Sequence, residues 1–124
     1  MKVLALDYGS ARTGVAVSDP TGTVARPLVT VQQVRKPAGF AKLLEVLEAE
    51  QPERIVVGLP LTLRGDHGEQ ADETAVFIEE LRAATAIPID TYDERFTSVL
   101  AGGDDARAAA HLLSSYLERL GGAQ

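Results

Sequence analysis

The sequence predicts an α/β fold built on a mixed five-stranded sheet with helices on its faces. Three short strand-like segments separated by turn residues open the chain. From Phe40 onwards the hydrophobic period changes from two to 3.6, and helical segments alternate with further apolar runs. The length of 124 residues, 45% of them hydrophobic, suits one core and is too small for two domains. We therefore expect a single domain over residues 1–124.

The first three segments predict an antiparallel meander. Residues 3–6 form a short apolar strand that ends in a cluster of turn residues at 7–10. A second strand is predicted at residues 14–18 and a third at 24–31. Pro27 within the third segment indicates an edge strand or a bulge, because proline cannot donate a hydrogen bond to a neighbouring strand.

The remainder of the chain alternates helices with strands. An amphipathic helix ends before Pro52, and a continuously apolar strand follows at 54–60. After a loop at 61–68, we expect a helix at about 70–84, a strand at 87–92 and a last helix at about 104–120. The residues predicted on the inner faces of the three helices are Phe40, Leu43, Leu44 and Leu47, then Ala71, Thr74, Ile78 and Leu81, then Ala109, Leu113, Tyr116, Leu117 and Leu120. The order β-β-β-α-β-α-β-α, with right-handed crossovers, matches the RNase H-like architecture.

The composition excludes several functions. The chain has no cysteine, so disulfides and thiolate chemistry are absent, and a metal ion must be held by oxygen or histidine. His67 and His111 have no second histidine at zinc-ligand spacing. No apolar run is long enough to cross a bilayer and no secretory signal is visible, so we expect a cytoplasmic protein. The net charge of −6 does not favour nucleic acid as a partner, although nine of the twelve cations are arginines, which can hold phosphate locally.

Acidic residues occur at three element ends: Asp7, the pair Asp93 and Glu94, and the pair Asp104 and Asp105. Taken alone, each has a structural explanation as a turn initiator, a solvated strand end or a helix N-cap. In an extended chain only one of the two residues at 93–94 can easily face a shared pocket, and the sequence leaves both candidates open. Carboxylates gathered at one sheet edge suit Mg²⁺ or Mn²⁺. Two such ions about 4 Å apart can activate a water molecule and stabilise the leaving oxygen of a phosphodiester.

The segment after Asp7 strengthens the prediction of a phosphodiester site. Gly9 and Gly14 bracket a tight hairpin in which the backbone can approach a ligand closely. Arg12 lies between them and can pair with a phosphate. The same glycines do not form a P-loop, because the Lys-Ser/Thr pair is missing and a strand follows instead of a helix.

Four blocks of the sequence form a recognisable pattern: LDYGSARTGVA at residues 6–16, IVVGLPL at 55–61 with Gly65, DERFTS at 93–98 and DARAAAHLL at 105–113. This pattern resembles the YqgF family, also called RuvX, of bacterial pre-16S rRNA nucleases related to Holliday junction resolvases. Together with the order of elements, these blocks cover nearly the whole chain.

The resemblance implies an RNase H-like fold and a nuclease that depends on a divalent metal, Mg²⁺ or Mn²⁺. It implies processing of the 5′ end of precursor 16S rRNA, with branched DNA as the alternative substrate. The implied site residues are Asp7, Glu94 and Asp105 as catalytic and metal-holding carboxylates, and Arg12, Arg95 and Thr97 as contacts to the phosphate backbone.

One departure from the family keeps other interpretations open. The family has a longer, basic segment before the last helix, whereas residues 95–104 here are short and contain no lysine. Either nucleic acid is held elsewhere or the chain is a catalytically silent binding module. The short connection could also force the last helix onto a partner subunit, giving a homodimer. A sugar-kinase or actin-like phosphotransferase would share the opening motif, but such enzymes need two copies of the fold.

Overall fold

The computed structural model of the protein describes residues 1–59, 69–93 and 105–122. The order of elements within these residues confirms the predicted β-β-β-α-β-α-β-α. The elements are β1 (Val3–Asp7), β2 (Arg12–Ser18), β3 (Ala25–Gln32), α1 (Pro37–Glu50), β4 (Arg54–Leu59), α2 (Glu69–Ala84), β5 (Ile89–Asp93) and α3 (Asp105–Gly122).

The five strands form one mixed sheet in the order β3-β2-β1-β4-β5. Strands β1, β2 and β3 pair antiparallel, as the predicted meander requires, whereas β1, β4 and β5 run parallel. The three parallel strands therefore end at one edge of the sheet, which we call the carboxyl edge. Strand β2 begins at the same edge, because Gly14 pairs with Asp7.

Alternation along the strands separates two hydrophobic layers. In β1, Leu4 and Leu6 pack with buried residues of α1 and α2. Val3 and Ala5 point the other way and pack against α3, through Ala109 and other buried residues of that helix. We call this second side of the sheet the α3 face. Because the side chains of a strand alternate, every second residue of β1 faces α3.

Pro27 lies both in an edge strand and at a bulge, the two alternatives that the sequence left open. Strand β3 is the last strand at its side of the sheet. Its register with β2 also shifts, since Val15 lies opposite Val29 while Ala16 lies opposite Pro27. One residue of β3 is left over between these pairs, which is the arrangement of a β-bulge.

Strand β2 begins two residues earlier than predicted, at Arg12, because its pairing with β3 extends to Gln32. Strand β5 begins two residues later than predicted, at Ile89, and the starts of β3, α2 and α3 differ by one residue. Helix α1, for which the sequence predicted no start, begins at Pro37, a residue suited to a first helical turn.

The predicted inner faces are confirmed, although Phe40, Leu44, Leu117 and Leu120 are only partly buried. Two residues that were not predicted, Phe77 of α2 and Leu112 of α3, are also buried. The predicted loop 61–68 lies outside the described residues.

A polar cluster at the opposite edge of the sheet fastens α3. The hydroxyl of Tyr116 donates to Asp90 over 2.9 Å and accepts from Arg54 over 3.1 Å. The Tyr116 ring meets Tyr92 edge-on, with centroids 6.0 Å apart. Arg54 and Asp90 lie where β4 and β5 begin. The cluster therefore holds α3 at the end of the sheet remote from Asp7. None of the described helices is long and apolar enough to cross a membrane.

Candidate active site

Asp7 is the last residue of β1 and lies at the carboxyl edge. By alternation with Val3 and Ala5 it belongs to the α3 face, and its side chain is half-buried. Burial, and secondly the nearby negative charge of Asp105, raise the pKa of Asp7 to about 6. A half-buried carboxyl group beside a second carboxylate is disfavoured as an anion and favours binding of a cation or a proton.

The hairpin after Asp7 is held by its own hydrogen bonds. The Thr13 hydroxyl donates to the Gly9 carbonyl over 3.3 Å and accepts from the Gly9 N–H over 3.4 Å. The N–H of Gln33 donates to the carbonyl of Ala11 over 2.9 Å, which ties the hairpin to the end of β3. These contacts hold Arg12, the first residue of β2, at the carboxyl edge.

Tyr8 anchors the other side of this hairpin, a role that no sequence pattern predicted. The side chain is buried, stacks on Phe77 with ring centroids 4.8 Å apart, and donates its hydroxyl to Glu73 over 2.7 Å. Burial and the Glu73 carboxylate raise the pKa of Tyr8 to about 12. The available sequence signal was an aromatic residue directly after an apolar strand. The contacts with Phe77 and Glu73 show that the hairpin packs on α2.

Asp105 and Arg12 meet at the carboxyl edge. The Nε of Arg12 lies 3.0 Å from Oδ2 of Asp105, with the two side chains 57% and 28% exposed. Asp105 lies in the first turn of α3, and its carboxylate pairs with Arg12. Two acids that are 98 positions apart in the sequence are thus neighbours with an arginine beside them.

The glycines of the hairpin serve a different purpose from the predicted one. A side chain on Gly9 would overlap the carbonyl of Arg12, and a side chain on Gly14 would overlap the backbone of Asp105. Both glycines therefore make room for the protein's own backbone, whereas the sequence suggested close approach of a ligand.

Asp93 lies at the carboxyl edge but on the other face of the sheet. Asp93 is the last residue of β5, which runs parallel to β1 with β4 between them. Strands β1 and β5 are therefore two strand spacings apart, roughly 10 Å in total. Alternation puts Asp93 on the side of Ile89, which packs with the α1 and α2 layer, while Tyr92 packs with α3. Asp93 therefore does not share the face of Asp7 and Asp105.

Of the six predicted site residues, three are described and lie together: Asp7, Arg12 and Asp105. The others, and one alternative, lie outside the described residues: Glu94, Arg95, Thr97 and Asp104. Residues 1–59, 69–93 and 105–122 contain no group of three or more His, Cys, Asp or Glu side chains that could hold a metal ion. The described part of the site thus supplies two carboxylates.

Comparison with known proteins places this geometry in a family. Residues 1–104 match the family described as "RuvX: Holliday junction resolvase". The chain belongs to the RuvX family. This confirms the family predicted from the four sequence blocks. Because the match ends directly before α3, the assignment of Asp105 to the site depends on its proximity to Asp7 and Arg12.

Two curated relatives of this RuvX family member are named "Putative pre-16S rRNA nuclease". The protein of Roseiflexus sp. is 45% identical over 100 residues, covering 81% of this chain and 71% of the relative. The protein of Moorella thermoacetica is 36% identical over 136 residues, covering 98% and 97%. The alignment has 136 positions, more than the 124 residues of this chain. The RuvX protein described here is therefore shorter than the Moorella relative over the aligned region.

Solved structures agree on the fold. Thermus thermophilus RuvC in complex with a Holliday junction substrate is similar with a TM-score of 0.58 and 20% identity, covering 98% of this chain and 97% of that one. At this identity the likeness concerns the fold alone. The predicted RNase H-like fold is confirmed.

Proposed function

We propose that this RuvX protein is a metal-dependent nuclease that hydrolyses phosphodiester bonds at the carboxyl edge of its sheet. The observation that carries the proposal is that Asp105 pairs with Arg12 and lies beside Gly14, the residue opposite Asp7, at the carboxyl edge. Two carboxylates can hold a cation, and the guanidinium beside them can hold a phosphate. The curated relatives are named "Putative pre-16S rRNA nuclease", and these names support the same reaction class.

The donor atoms fit a divalent cation of the hard type. Asp7 and Asp105 offer carboxylate oxygens, and the pKa of Asp7 is raised first by its burial and secondly by the negative charge of Asp105. A divalent cation would relieve this repulsion, and oxygen donors suit Mg²⁺ or Mn²⁺. The chemistry that such a cation supplies when bound is activation of a water molecule and stabilisation of the leaving oxygen.

We assign the third carboxylate to Glu94 rather than Asp93. Asp93 is on the side of the sheet that α1 and α2 cover, opposite the face of Asp7. In an extended strand the next residue alternates to the other face, which would be the α3 face. Arg95 and Thr97, which follow in the same block, are proposed as further contacts to the phosphate backbone.

The chain's own residues have distinct roles in this proposal. Arg12 holds a phosphate of the substrate and orients it toward the two acids, because its side chain is more than half exposed and its Nε lies 3.0 Å from Asp105. Asp7 ends a strand that pairs on both sides, and it lies opposite Gly14 of β2. The hydrogen bond from Tyr8 to Glu73 attaches to α2 the hairpin on which Arg12 lies.

Precursor 16S rRNA is the substrate we propose, with cleavage at its 5′ end. The names of the relatives from Roseiflexus and Moorella support this choice. A four-way DNA junction is the second candidate, because the family is described as a Holliday junction resolvase and a RuvC of the same fold was solved with that substrate. Maturation of rRNA would place the protein in the cytoplasm.

One experiment compares both substrates. Precursor 16S rRNA and a synthetic four-way junction are each incubated with the protein in Mn²⁺, in Mg²⁺ and in chelator. We expect metal-dependent cleavage of the RNA at its 5′ end, abolished in Asp7→Asn. Cleavage of the junction alone would move the substrate to DNA. Binding of either substrate without cleavage under all conditions would identify a silent binding module. A homodimer stays a prediction, which sedimentation of the intact protein tests.

A further inference from the structure

Gly14 lies directly beneath the first turn of α3. It pairs with Asp7 across the β1–β2 ladder and has the same parity as Ala16, which packs against α3. A Cβ atom built on Gly14 would overlap the carbonyl oxygen and carbon of Asp105 and would lie 2.9 Å from the nitrogen of Ala106. The backbone of the helix thus occupies the space that a side chain would take.

The conformation of β2 does not require a glycine at this position. Among the described glycines only Gly22 has a positive φ, of 72°, so Gly14 has a backbone that any residue can adopt. Glycine inside a strand weakens it, since no side chain packs and more chain entropy is lost on folding. The close approach of α3 is the remaining physical reason for a glycine here.

An alanine at this position could not be accommodated by a small side-chain movement. The atoms it would meet belong to the helix backbone, which cannot rotate away as a flexible side chain would. Either α3 moves outward at its first turn or β2 moves away from the helix. Both movements change the separation between Asp105 on the helix and Asp7 on the strand beside Gly14.

We propose that Gly14 is a positioning residue that sets how deeply the first turn of α3 docks, and thereby holds Asp105 beside Asp7. This inference rests on the proposed function, in which the two acids hold the cation together. A misplacement of about 1 Å in a catalytic arrangement can reduce rates about 100-fold. Residues that orient metal ligands without binding the metal contribute about 10- to 100-fold in affinity.

The test is direct binding of Mn²⁺ to the metal-free protein, measured by calorimetry alongside cleavage. Gly14→Ala is expected to weaken Mn²⁺ binding about 10- to 100-fold. Gly121→Ala is the matched control, because a Cβ atom there meets nothing within 4 Å, and its affinity is expected to equal that of the parent. Circular dichroism establishes that both variants are folded. Unchanged Mn²⁺ affinity in folded Gly14→Ala would overturn the inference.

A second variant separates positioning from a general loss of structure. Asp105→Glu lengthens the carboxylate by one methylene, so it is expected to recover Mn²⁺ affinity when added to Gly14→Ala and to lose affinity when made alone. A purely structural role for Gly14 predicts no such recovery, and its absence would count against positioning. If Gly14→Ala does not fold, Asp105→Gly is added to it, because glycine keeps the overlapping backbone atoms but loosens the first turn of α3 and lets it move away from β2. Recovery of folding there supports the inference, and continued unfolding contradicts it.

The same titrations show which proposal fails. If Asp7→Asn and Asp105→Asn both bind Mn²⁺ as tightly as the parent, the metal site of the proposed function is wrong. If both lose Mn²⁺ binding while folded Gly14→Ala keeps it, the proposed function stands and only the role of Gly14 is wrong.

Discussion

Asp7→Asn is expected to make the metal-free protein more stable at neutral pH while abolishing cleavage. The pKa of Asp7 is raised from 3.8 to about 6, chiefly by burial and secondly by Asp105. The folded protein therefore holds this proton at pH values where the unfolded chain has released it. Above pH 6 the ionised carboxylate opposes folding, and asparagine, which has nearly the same size, removes that charge.

The magnitude follows from the shift. One pKa unit corresponds to about 1.4 kcal/mol, so a shift of about two units gives at most about 3 kcal/mol at pH 7. Asp7 is only half-buried, so screening by water reduces this figure. For a chain of this length each kcal/mol changes the Tm by roughly 4 °C. We expect Asp7→Asn to melt several degrees above the parent at pH 7 in chelator.

The pH dependence has a definite sign. A native pKa above the unfolded value gives stability that is fully present below pH 3.8 and is lost as the pH rises through 6. The Tm difference between Asp7→Asn and the parent should therefore be near zero at pH 4 and should grow up to pH 6 to 7. The measurement is thermal unfolding by circular dichroism in chelator at pH 4, 5, 6 and 7.

Two controls give this prediction its force. Glu45→Gln removes a charge from an exposed position on α1 and should show no such growth with pH. Added Mn²⁺ should reverse the order of the two proteins, because a ligand that binds only the folded parent stabilises it by about 2.7 kcal/mol at 100 times its Kd. A Tm difference that is constant from pH 4 to 7, or an Asp7→Asn variant that melts below the parent at pH 7, would refute the reasoning.

Three further predictions concern other residues. Arg12→Ala should weaken nucleic-acid binding and reduce the slope of log affinity against log salt by about one unit, measured by fluorescence anisotropy in chelator, and an unchanged slope would contradict a phosphate contact. Tyr116→Phe should lower the unfolding free energy by about 1–2 kcal/mol through loss of its bonds to Asp90 and Arg54, yet leave cleavage intact because that cluster lies at the far edge of the sheet; urea titration and a cleavage assay check both parts. Glu94→Gln should abolish cleavage and Asp93→Asn should retain it, and the reverse result in parallel assays would assign the third carboxylate to Asp93.

The fold was predictable because local signals agree with the tertiary structure at nearly every element. The apolar segment around Val56 is buried on both faces, as its continuous hydrophobicity indicated for a central strand. The helix face through Ala71, Ile78 and Leu81 is buried as its period predicted. Pro27 indicated the edge strand and the bulge, because the missing N–H restricts proline to such places.

The site was only partly predictable because its members come from distant parts of the chain. Asp7 could be found from its place at the end of an apolar strand. Arg12 could be found because it follows that acid closely in the sequence, between Gly9 and Gly14. The sequence could not choose between Asp93 and Glu94, since the choice depends on which face of β5 meets α3. Nor could it assign Gly14 to the docking of α3, because that requires knowing that the helix start passes over the β1–β2 ladder.

The ion pair between Arg12 and Asp105 is compatible with the proposed role of Arg12 in binding phosphate. An ion pair at the protein surface is worth about 1 kcal/mol or less, and Arg12 remains 57% exposed. A phosphate can offer the guanidinium two parallel hydrogen bonds, whereas the structure shows Arg12 contacting Asp105 through Nε. The contact therefore keeps the guanidinium at the carboxyl edge without occupying all of its donors. In the proposed function, phosphate binding by this acidic chain of net charge −6 therefore depends on the local placement of one arginine and not on the overall charge.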